Sequence, residues 1–282
     1  MSDAAQGEPP KHVVFDRPFK VEPDFENWKT PGNYRRFPGG DELPAKLKVW
    51  RIQGTGKSYG GVVSRSWGFS DSPDAEVLTP GFNSGKESGA VGVGRHGNFL
   101  QWGFSAPPSK MTEAGQRFFL NCVCYIHRYD GQPPLVRRLK SDRINPIRLA
   151  LLLRKIKKKS FFESAFTSEQ IEEYARNPKG LATYYEDSYE LIYWDKVYRI
   201  DAELRSLSIE SNRTLRSLEQ LITMLNEEET APKARLLLER YTVETFESPE
   251  QWQEWLSACR ERIYFSDVGG YKFRVMPEGY LR

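Results

Sequence analysis

The sequence predicts an α+β protein, with a small β-rich or α/β layer in its N-terminal half and a mainly helical domain closed by a C-terminal β-hairpin. Three observations carry this prediction. Short β-branched and aromatic runs, separated by turn residues, occupy residues 46–105. Helical periodicity and capping signals dominate residues 161–262. Two short strand-like runs around the turn at residues 267–270 finish the chain.

Composition excludes several classes of protein. The 282 residues carry 41 Lys and Arg against 38 Asp and Glu, a net charge of +3, and 13% of them are aromatic. So many aromatic residues with so little net charge are not typical of collagen, coiled coils or disordered chains. No run of about 18 apolar residues occurs, so we expect no transmembrane segment.

Charge and turn residues divide the chain into four predicted segments. They are a tail with an irregular wrapping segment over 1–45, an α/β domain over 46–135, a basic connector over 136–160, and a helical domain with a terminal hairpin over 161–282. The start of the chain has no apolar stretch, so no signal peptide is visible. The small residues of Ser2–Gln6 would fit the remnant of a trimmed one.

The N-terminal half is predicted strand by strand. Lys46–Gln53 partly alternates between apolar and polar residues, and Gly61–Phe69 is β-branched and aromatic. Residues 90–104 contain two short runs that are split at Gly94–Gly97. A helix then begins at Thr112 and carries apolar residues on one face up to residue 126.

Capping signals locate the helices of the C-terminal half. Thr167 with Gln170 forms a capping box that opens a helix over 168–176, and Ser248 with Gln251 forms a second one. The remaining predicted elements are helices over 181–194, 213–225 and 233–241 and strands over 263–266 and 271–275.

The basic connector holds ten Lys and Arg between Arg137 and Lys159 against one acid, Asp142. Three interpretations stay open: an anionic membrane surface, a polyanion such as an acidic glycan, or a solvated helix with its leucines turned inward. Nucleic acid is not the partner we expect. The candidate anion-binding residues are Arg154, Lys155, Lys157, Lys158 and Lys159.

Reactive side chains are most concentrated from Arg95 to Asn98. Histidine can act as a base, arginine can clamp an anion and asparagine can donate hydrogen bonds. Joined by a nearby acid, they would suit a hydrolase or a transferase. The alternative is a hairpin turn with Gly97 at a positive φ. The candidate catalytic residues are His96, Arg95, Asp71, Asp74 and Glu76.

A non-catalytic binding or interaction module is the first functional hypothesis. No Gly-x-Ser-x-Gly elbow or other complete catalytic pattern occurs in the sequence. The abundant Trp and Tyr residues suit contacts with a carbohydrate or a protein ligand. The candidate ligand-binding residues are Asn98, Trp102 and Trp67.

We expect no cofactor and no metal ion. Gly54–Ser58 ends like a phosphate-binding loop, but Arg51 stands where that pattern requires its first glycine, and a strand rather than a helix is predicted to follow. His12, His96 and His127 are too scattered for a local metal motif.

The three cysteines are too few, and odd in number, for a disulfide framework. Cys122 and Cys124 are two apart on a predicted helix, where they point in different directions and cannot bridge. We expect them to be small buried hydrophobic residues.

The stretch from about Trp50 to Tyr129 resembles the C-terminal part of a class I glutamine-amidotransferase-like domain of the ThuA-like type. The residues that carry the resemblance are Ser72–Leu78, Ala90–Phe104 and the helix over 112–126. The family's catalytic elbow belongs to an earlier part of that fold. Its catalytic positions are therefore carried over to no residue of this sequence.

The whole chain is also similar to uncharacterised secreted bacterial proteins that pair such a segment with a helical C-terminus. A closing motif carries this resemblance: Trp252, Trp255–Leu256, Arg260 and Phe265–Phe273. The resemblance implies an extracytoplasmic setting, periplasmic or secreted, and names no activity. It leaves the ligand and the oligomeric state open.

Overall fold

The protein belongs to the α+β class that the sequence predicts, with mixed helices and small sheets along the chain. It divides into two compact units, unit 1 over residues 1–135 and unit 2 over residues 136–280. The computed structural model describes residues 1–37, 39–54, 59–69, 71–153 and 159–280.

Two three-stranded antiparallel sheets frame unit 1. The first has the strand order β1–β3–β2 and consists of β1 (Ala4–Gln6), β2 (Phe25–Lys29) and β3 (Lys46–Arg51). The second runs in sequence order through β4 (Ala75–Pro80), β5 (Val91–His96) and β6 (Phe99–Trp102). Helix α1 (Glu113–Ile126) follows the second sheet.

Helix α1 begins where the sequence predicts. The Thr112 hydroxyl accepts a hydrogen bond from the Gly115 N–H at 3.0 Å, which satisfies one of the free donors of the first turn. The buried face of the helix places Phe118 against Phe15 and Trp50, with ring centroids 4.8 and 5.7 Å away. These three rings form the centre of the unit 1 core.

Several predictions for the N-terminal half are wrong in detail. Residues 1–45 supply strands β1 and β2, and β1 is fully buried at Ala4 and Ala5. The predicted strand Gly61–Phe69 is instead two isolated bridges, at Gly61 and Ser64, followed by a 3₁₀ turn. Residues 55–58 of the predicted turn lie outside the described residues.

Cys122 is buried, as predicted, while Cys124 is exposed. Burial raises the pKa of the Cys122 thiol far above its usual range, and the nearby Glu76 carboxylate adds to the shift. Both cysteines are free thiols, because positions two apart on α1 face different directions.

Unit 2 is mainly helical and contains two β-hairpins. The hairpins are β7 (Ile192–Asp195) with β8 (Val197–Ile200) and β9 (Ile263–Ser266) with β10 (Lys272–Val275). The helices are α2 (Ile144–Leu152), α3 (Ser168–Glu173), α4 (Pro178–Glu186), α5 (Ala202–Ser206), α6 (Leu215–Met224), α7 (Ala231–Tyr241) and α8 (Pro249–Cys259).

Both predicted capping boxes of unit 2 are confirmed. Thr167 and Gln170 bond reciprocally at the start of α3, and Ser248 and Gln251 do so at the start of α8. The terminal hairpin β9–β10 is confirmed as well, with Phe265 and Phe273 directly opposite each other. Local side-chain chemistry therefore fixes these element ends.

The predicted helix over 181–194 is wrong in its second half. Helix α4 ends at Glu186, and the chain then forms a short 3₁₀ turn and strand β7. The sequence from residue 192 to 198 is aromatic and β-branched, which favours a strand. Lys196 forms the tight turn of the hairpin with a positive φ of 60°.

One buried ion pair joins distant segments of unit 2. The Arg143 guanidinium, 1% exposed, meets the Asp267 carboxylate in a two-pronged contact with N–O distances of 2.7 and 2.5 Å. The same guanidinium also donates to the Asn212 side chain and to the carbonyls of Tyr189 and Glu190. These bonds raise the pKa of Arg143 against the effect of its burial, which opposes the charge.

Within the part of the chain that the structure describes, no helix combines the length and the apolar character needed to cross a bilayer.

Removing one member of the Arg143–Asp267 pair should destabilise the protein strongly. The change Arg143→Gln leaves the Asp267 carboxylate buried without its counter-charge, and we expect a loss of about 3–5 kcal/mol in the free energy of unfolding. Urea denaturation of the full chain measures it. The control is Arg199→Gln, which breaks an exposed pair with Asp195 and should cost no more than about 1 kcal/mol. Equal losses in the two variants would contradict this account.

Candidate functional site

The predicted catalytic residues lie on the β4–β5 ladder of unit 1. Glu76 is paired with Arg95 in the register, and Ala75 with His96. Successive side chains of a strand point to opposite faces of the sheet, so Arg95 and His96 do not converge. The structure thus brings Arg95 to Glu76 and His96 to Asp74, in two separate clusters.

Glu76 is the centre of the first cluster. Its carboxylate accepts hydrogen bonds from Arg95 Nε and the Tyr125 hydroxyl, both at 2.5 Å, and lies 3.3 Å from His12 Nε2. Burial alone would raise the pKa of Glu76, but these three donors outweigh it and lower the pKa to about 2. The Arg95 guanidinium is held further by the Tyr129 ring, whose centroid is 3.7 Å away. Glu76 is therefore a fixed anion with its donors already in place.

Asp74 is the centre of the second cluster and is fully buried. Its carboxylate accepts from the Ser72 hydroxyl and from the Leu135 N–H, and His96 Nε2 lies 3.5 Å away. Burial would raise the pKa of Asp74, but these hydrogen bonds hold it well below its usual range. The cluster holds together the loop ahead of β4, the end of β5 and the segment at Leu135.

The β5–β6 hairpin supports the alternative interpretation of residues 95–98 as a turn. Gly97 has a φ of +55°, and a Cβ there would lie 2.7 Å from the backbone of Gln132. Asn98 forms the second turn residue, and its N–H donates to the Gln132 carbonyl at 2.8 Å. A two-residue turn with a left-handed first position is typical of tight hairpins.

The other sequence-predicted residues of unit 1 lie in separate places. Trp102 packs against Phe104, Phe118 and Phe119, so its ring is part of the core and not a free stacking surface. Trp67 lies in a 3₁₀ turn and is half-buried, as is Asp71 in the following loop.

The predicted anion-binding residues cannot be placed in the same way. Arg154, Lys155, Lys157 and Lys158 lie outside the described residues. Lys159 begins a short 3₁₀ turn, and its side chain also lies outside the described part.

A depression of about 650 Å³ lies beside Tyr125 in unit 1. Val13, Pro18 and Cys124 form its apolar wall, with the exposed Arg17 and Arg128 at its edges. Apart from these two arginines and the Tyr125 hydroxyl, which is committed to Glu76, its described lining offers few polar groups to orient a ligand.

Unit 2 contains a cavity of about 310 Å³ with a different lining. Its aromatic walls are Trp194 from β7 and Tyr198 from β8, and Leu149 and Ala165 add apolar surface. The remaining lining residues carry donors: Arg138, Lys140, Ser141, Asn145 and Ser164. Aromatic surface with a few convergent polar groups is typical of small-molecule sites.

Backbone hydrogen bonds hold the walls of this cavity, which we call the Trp194 cavity, in place. The Leu139 and Lys140 N–H groups both donate to the Val268 carbonyl, at 2.7 and 3.1 Å. The Tyr198 N–H donates to the Ala165 carbonyl at 2.9 Å, which fastens the β7–β8 hairpin. Because these walls are already fixed, the protein loses little conformational entropy when a ligand binds.

Hydrogen bonds of polar side chains fix the residues at the base of the Trp194 cavity. Asn145 Nδ2 donates to the Tyr198 hydroxyl at 3.0 Å. Burial raises the pKa of Tyr198 to about 12, so this hydroxyl stays neutral at physiological pH and can itself donate a hydrogen bond. The Tyr271 hydroxyl fixes the neighbouring Ser141 by donating to its carbonyl at 3.0 Å.

Trp194 also borders a second cavity of about 320 Å³ in unit 2. That cavity is lined by Asp195, Arg240 and Lys272 and by further aromatic residues. The Lys272 ammonium is already bonded to the carbonyls of Glu239 and Thr242, and burial lowers its pKa. Arg240 is paired with the buried Asp201 at 2.6 Å.

One cation lies directly on the indole of Trp194. Lys140 Nζ is 3.1 Å from the ring centroid, which is the arrangement of a cation–π contact. Lys140 is half-buried, and its backbone is fixed by the bond to Val268. The Trp194 cavity therefore presents positive charge next to its main aromatic surface.

Sequence reasoning missed Trp194 because it placed residues 181–194 in one helix. The run from Tyr193 to Tyr198 contained the usable signal, since two short aromatic segments flank the turn residues Asp195 and Lys196. Arg138 and Lys140, which line the Trp194 cavity, belong to the predicted basic connector but are not among its candidate anion-binding residues.

Among the residues that the structure describes, no group of three or more His, Cys, Asp and Glu side chains is arranged to hold a metal ion.

Comparison with known proteins finds no matching family, no matching curated protein and no matching solved structure. The resemblance of residues 50–129 to ThuA-like domains therefore stays a prediction, as does the similarity to secreted bacterial proteins.

The Glu76 cluster should make unit 1 sensitive to acid. A carboxylate whose pKa is lowered by folding contributes stability above its unfolded pKa, near 4.5, and loses it as the pH falls towards about 2. We expect the change Glu76→Gln to reduce the loss of unfolding free energy between pH 6 and pH 3, measured by urea denaturation. The exposed control Glu42→Gln should keep the pH dependence of the parent. A Glu76→Gln profile parallel to that of the parent would contradict the role given to this carboxylate.

Proposed function

We propose that the protein is a non-catalytic binding module and that it binds a carbohydrate in the Trp194 cavity. One observation carries the proposal. A half-buried indole lies between two cavities whose walls are aromatic and rich in hydrogen-bond donors. The apolar faces of a sugar ring can stack on an indole, while its hydroxyl groups meet donors and acceptors at the ring edge.

The polar groups of the cavity suit this chemistry. Ser141 and Ser164 offer hydroxyls that can both donate and accept hydrogen bonds, and Asn145 carries an amide oxygen besides the amide group bonded to Tyr198. The ligand would meet them without a large rearrangement, because the backbone on both sides is hydrogen-bonded. A volume of about 310 Å³ is within the range of small-ligand sites.

An extracytoplasmic setting is part of the same proposal. It rests on the resemblance of the closing motif, from Trp252 to Phe273, to secreted bacterial proteins. Fractionation of the source cells tests it, and recovery of the protein from the cytoplasm alone would overturn it.

The rival hypothesis of a hydrolase or transferase has weaker support. It needs Arg95 and His96 to act on one substrate, whereas their side chains take opposite faces of β5. Arg95 is also 4% exposed and committed to Glu76 and the Gly97 carbonyl. Binding without catalysis is the simpler account of these residues.

Loss of the indole should weaken binding. We expect Trp194→Ala to weaken the binding of oligosaccharides at least about tenfold, because stacking and apolar burial are both removed. A glycan array first identifies the ligands of the parent, and titration calorimetry then compares the variants. Tyr184→Ala is the matched control, since Tyr184 is an exposed aromatic residue of unit 2 that is not among the described lining residues of either cavity. Equal affinity of parent and Trp194→Ala, or no glycan binding by the parent, would overturn the proposal.

A further inference from the structure

We infer that the saccharide bound at Trp194 carries an anionic group, a carboxylate or a sulfate, and that Lys140 leaves the indole to pair with this group as the sugar ring takes its place. This inference rests on the proposed function and names the ligand class. It also gives the cation–π contact a role in selecting the ligand.

The charges that line the Trp194 cavity are the first support. Arg138 and Lys140 face it, and its described lining residues include no Asp or Glu. The nearby buried cation Arg143 is already neutralised by Asp267. The buried Asp142 carboxylate also acts on Tyr198, so the attraction for an anion comes from the Lys140 ammonium beside the indole.

The partner of Lys140 is the second support. Within the described part of the chain, its ammonium lies on an aromatic ring, 3.1 Å from the centroid of Trp194, and not on a carboxylate. A charge-assisted hydrogen bond to a carboxylate or sulfate oxygen is stronger than a contact with a ring face. An anionic ligand therefore offers this ammonium a better partner than it has in the free protein.

The way Lys140 is attached is the third support. Its N–H is bonded to the Val268 carbonyl, while its side chain has four rotatable bonds. The ammonium can consequently move by several ångströms without any movement of the cavity wall. When it moves, the indole face that it covered becomes available for stacking with the sugar.

The departure of Lys140 from the indole and the binding of the sugar are linked, and this link favours acidic sugars. A neutral sugar must displace the ammonium into water, whereas an acidic sugar gives it an oxygen ligand at the same time. The cavity should therefore discriminate between sugars of the same shape that differ in charge.

Matched pairs of oligosaccharides test this inference. The probes are trigalacturonate against its trimethyl ester and a sulfated disaccharide against its unsulfated form, with inorganic sulfate as a third arm. We expect the full-length parent to bind an acidic member about tenfold more tightly than its neutral partner in titration calorimetry. Which of the two pairs shows this preference distinguishes a carboxylate from a sulfate.

Two lysine variants separate the exchange from a general charge effect. In Lys140→Met, the preference for the acidic member over the neutral one should fall to about onefold. In the control Lys196→Met, which changes an exposed lysine at the turn of the same hairpin, the preference should stay that of the parent. Equal loss of preference in both variants would contradict the exchange.

Fluorine NMR of the chain labelled with 5-fluorotryptophan gives a direct signal. Seven resonances are expected, one for each Trp, and Trp194→Phe assigns the one of interest. An acidic ligand should shift the Trp194 resonance in the parent, and a smaller shift should occur in Lys140→Met. An unmoved Trp194 resonance on saturation with an acidic ligand would overturn the exchange.

The outcomes distinguish the two proposals. If acidic and neutral members bind the parent equally well, the inference fails and the proposed function stands. If inorganic sulfate binds and no oligosaccharide does, both fail, and the cavity is a site for small anions. If Lys140→Met loses both members to the same extent, the lysine shapes the cavity and the exchange is wrong.

Discussion

The buried pair of Arg143 and Asp267 is the constraint on which unit 2 depends. A charged guanidinium at 1% exposure is tolerated only when its donors find acceptors, and here they reach a carboxylate, an amide oxygen and two carbonyls. These acceptors belong to segments far apart in the chain, which are thereby held at fixed distances. Arginine suits this position because its planar fork presents five donors at once, which a lysine cannot do. The wall of the Trp194 cavity from Arg138 to Ser141 lies just before Arg143 in the chain, so the ion pair helps to position it. The backbone bonds to the Val268 carbonyl and the bond from the Tyr271 hydroxyl to Ser141 position it as well.

The parts of the fold that could be predicted are those encoded locally. A capping box uses residues three apart, so Thr167 and Ser248 predict the starts of their helices without any tertiary information. Strand β1 has three residues, and Ala4 and Ala5 carry little strand preference, so its place beside β3 is decided by burial and by the ladder hydrogen bonds. The segment after α4 is predicted wrongly for a different reason. Its apolar spacing is compatible with a helix, while packing selects a hairpin.

The difference between local and long-range information also explains which candidate sites could be predicted. Arg95 and His96 are adjacent in sequence, yet adjacent side chains of a strand point to opposite faces of the sheet. Glu76 was a candidate, but its partners His12 and Tyr125 lie 64 and 49 residues away, beyond the reach of any local pattern. The Trp194 cavity likewise combines Lys140 with a hairpin more than 50 residues further on. The excess of positive charge in the connector can be predicted from the sequence, but the aromatic surface of Trp194 beside it cannot.

Arg143 and Asp267 are 124 residues apart in the chain, so Arg143 is synthesised well before its partner. A ribosome that adds about 5–20 residues per second leaves Arg143 without its counter-ion for roughly 6–25 seconds. During that interval the guanidinium is more stable in water than in a core, so the segments around it stay apart. Unit 1 contains all of its own strands and helix α1 before Arg143 is made, and it can pack first. The Trp194 cavity is therefore among the last parts of the molecule to form, after the final hairpin has left the ribosome.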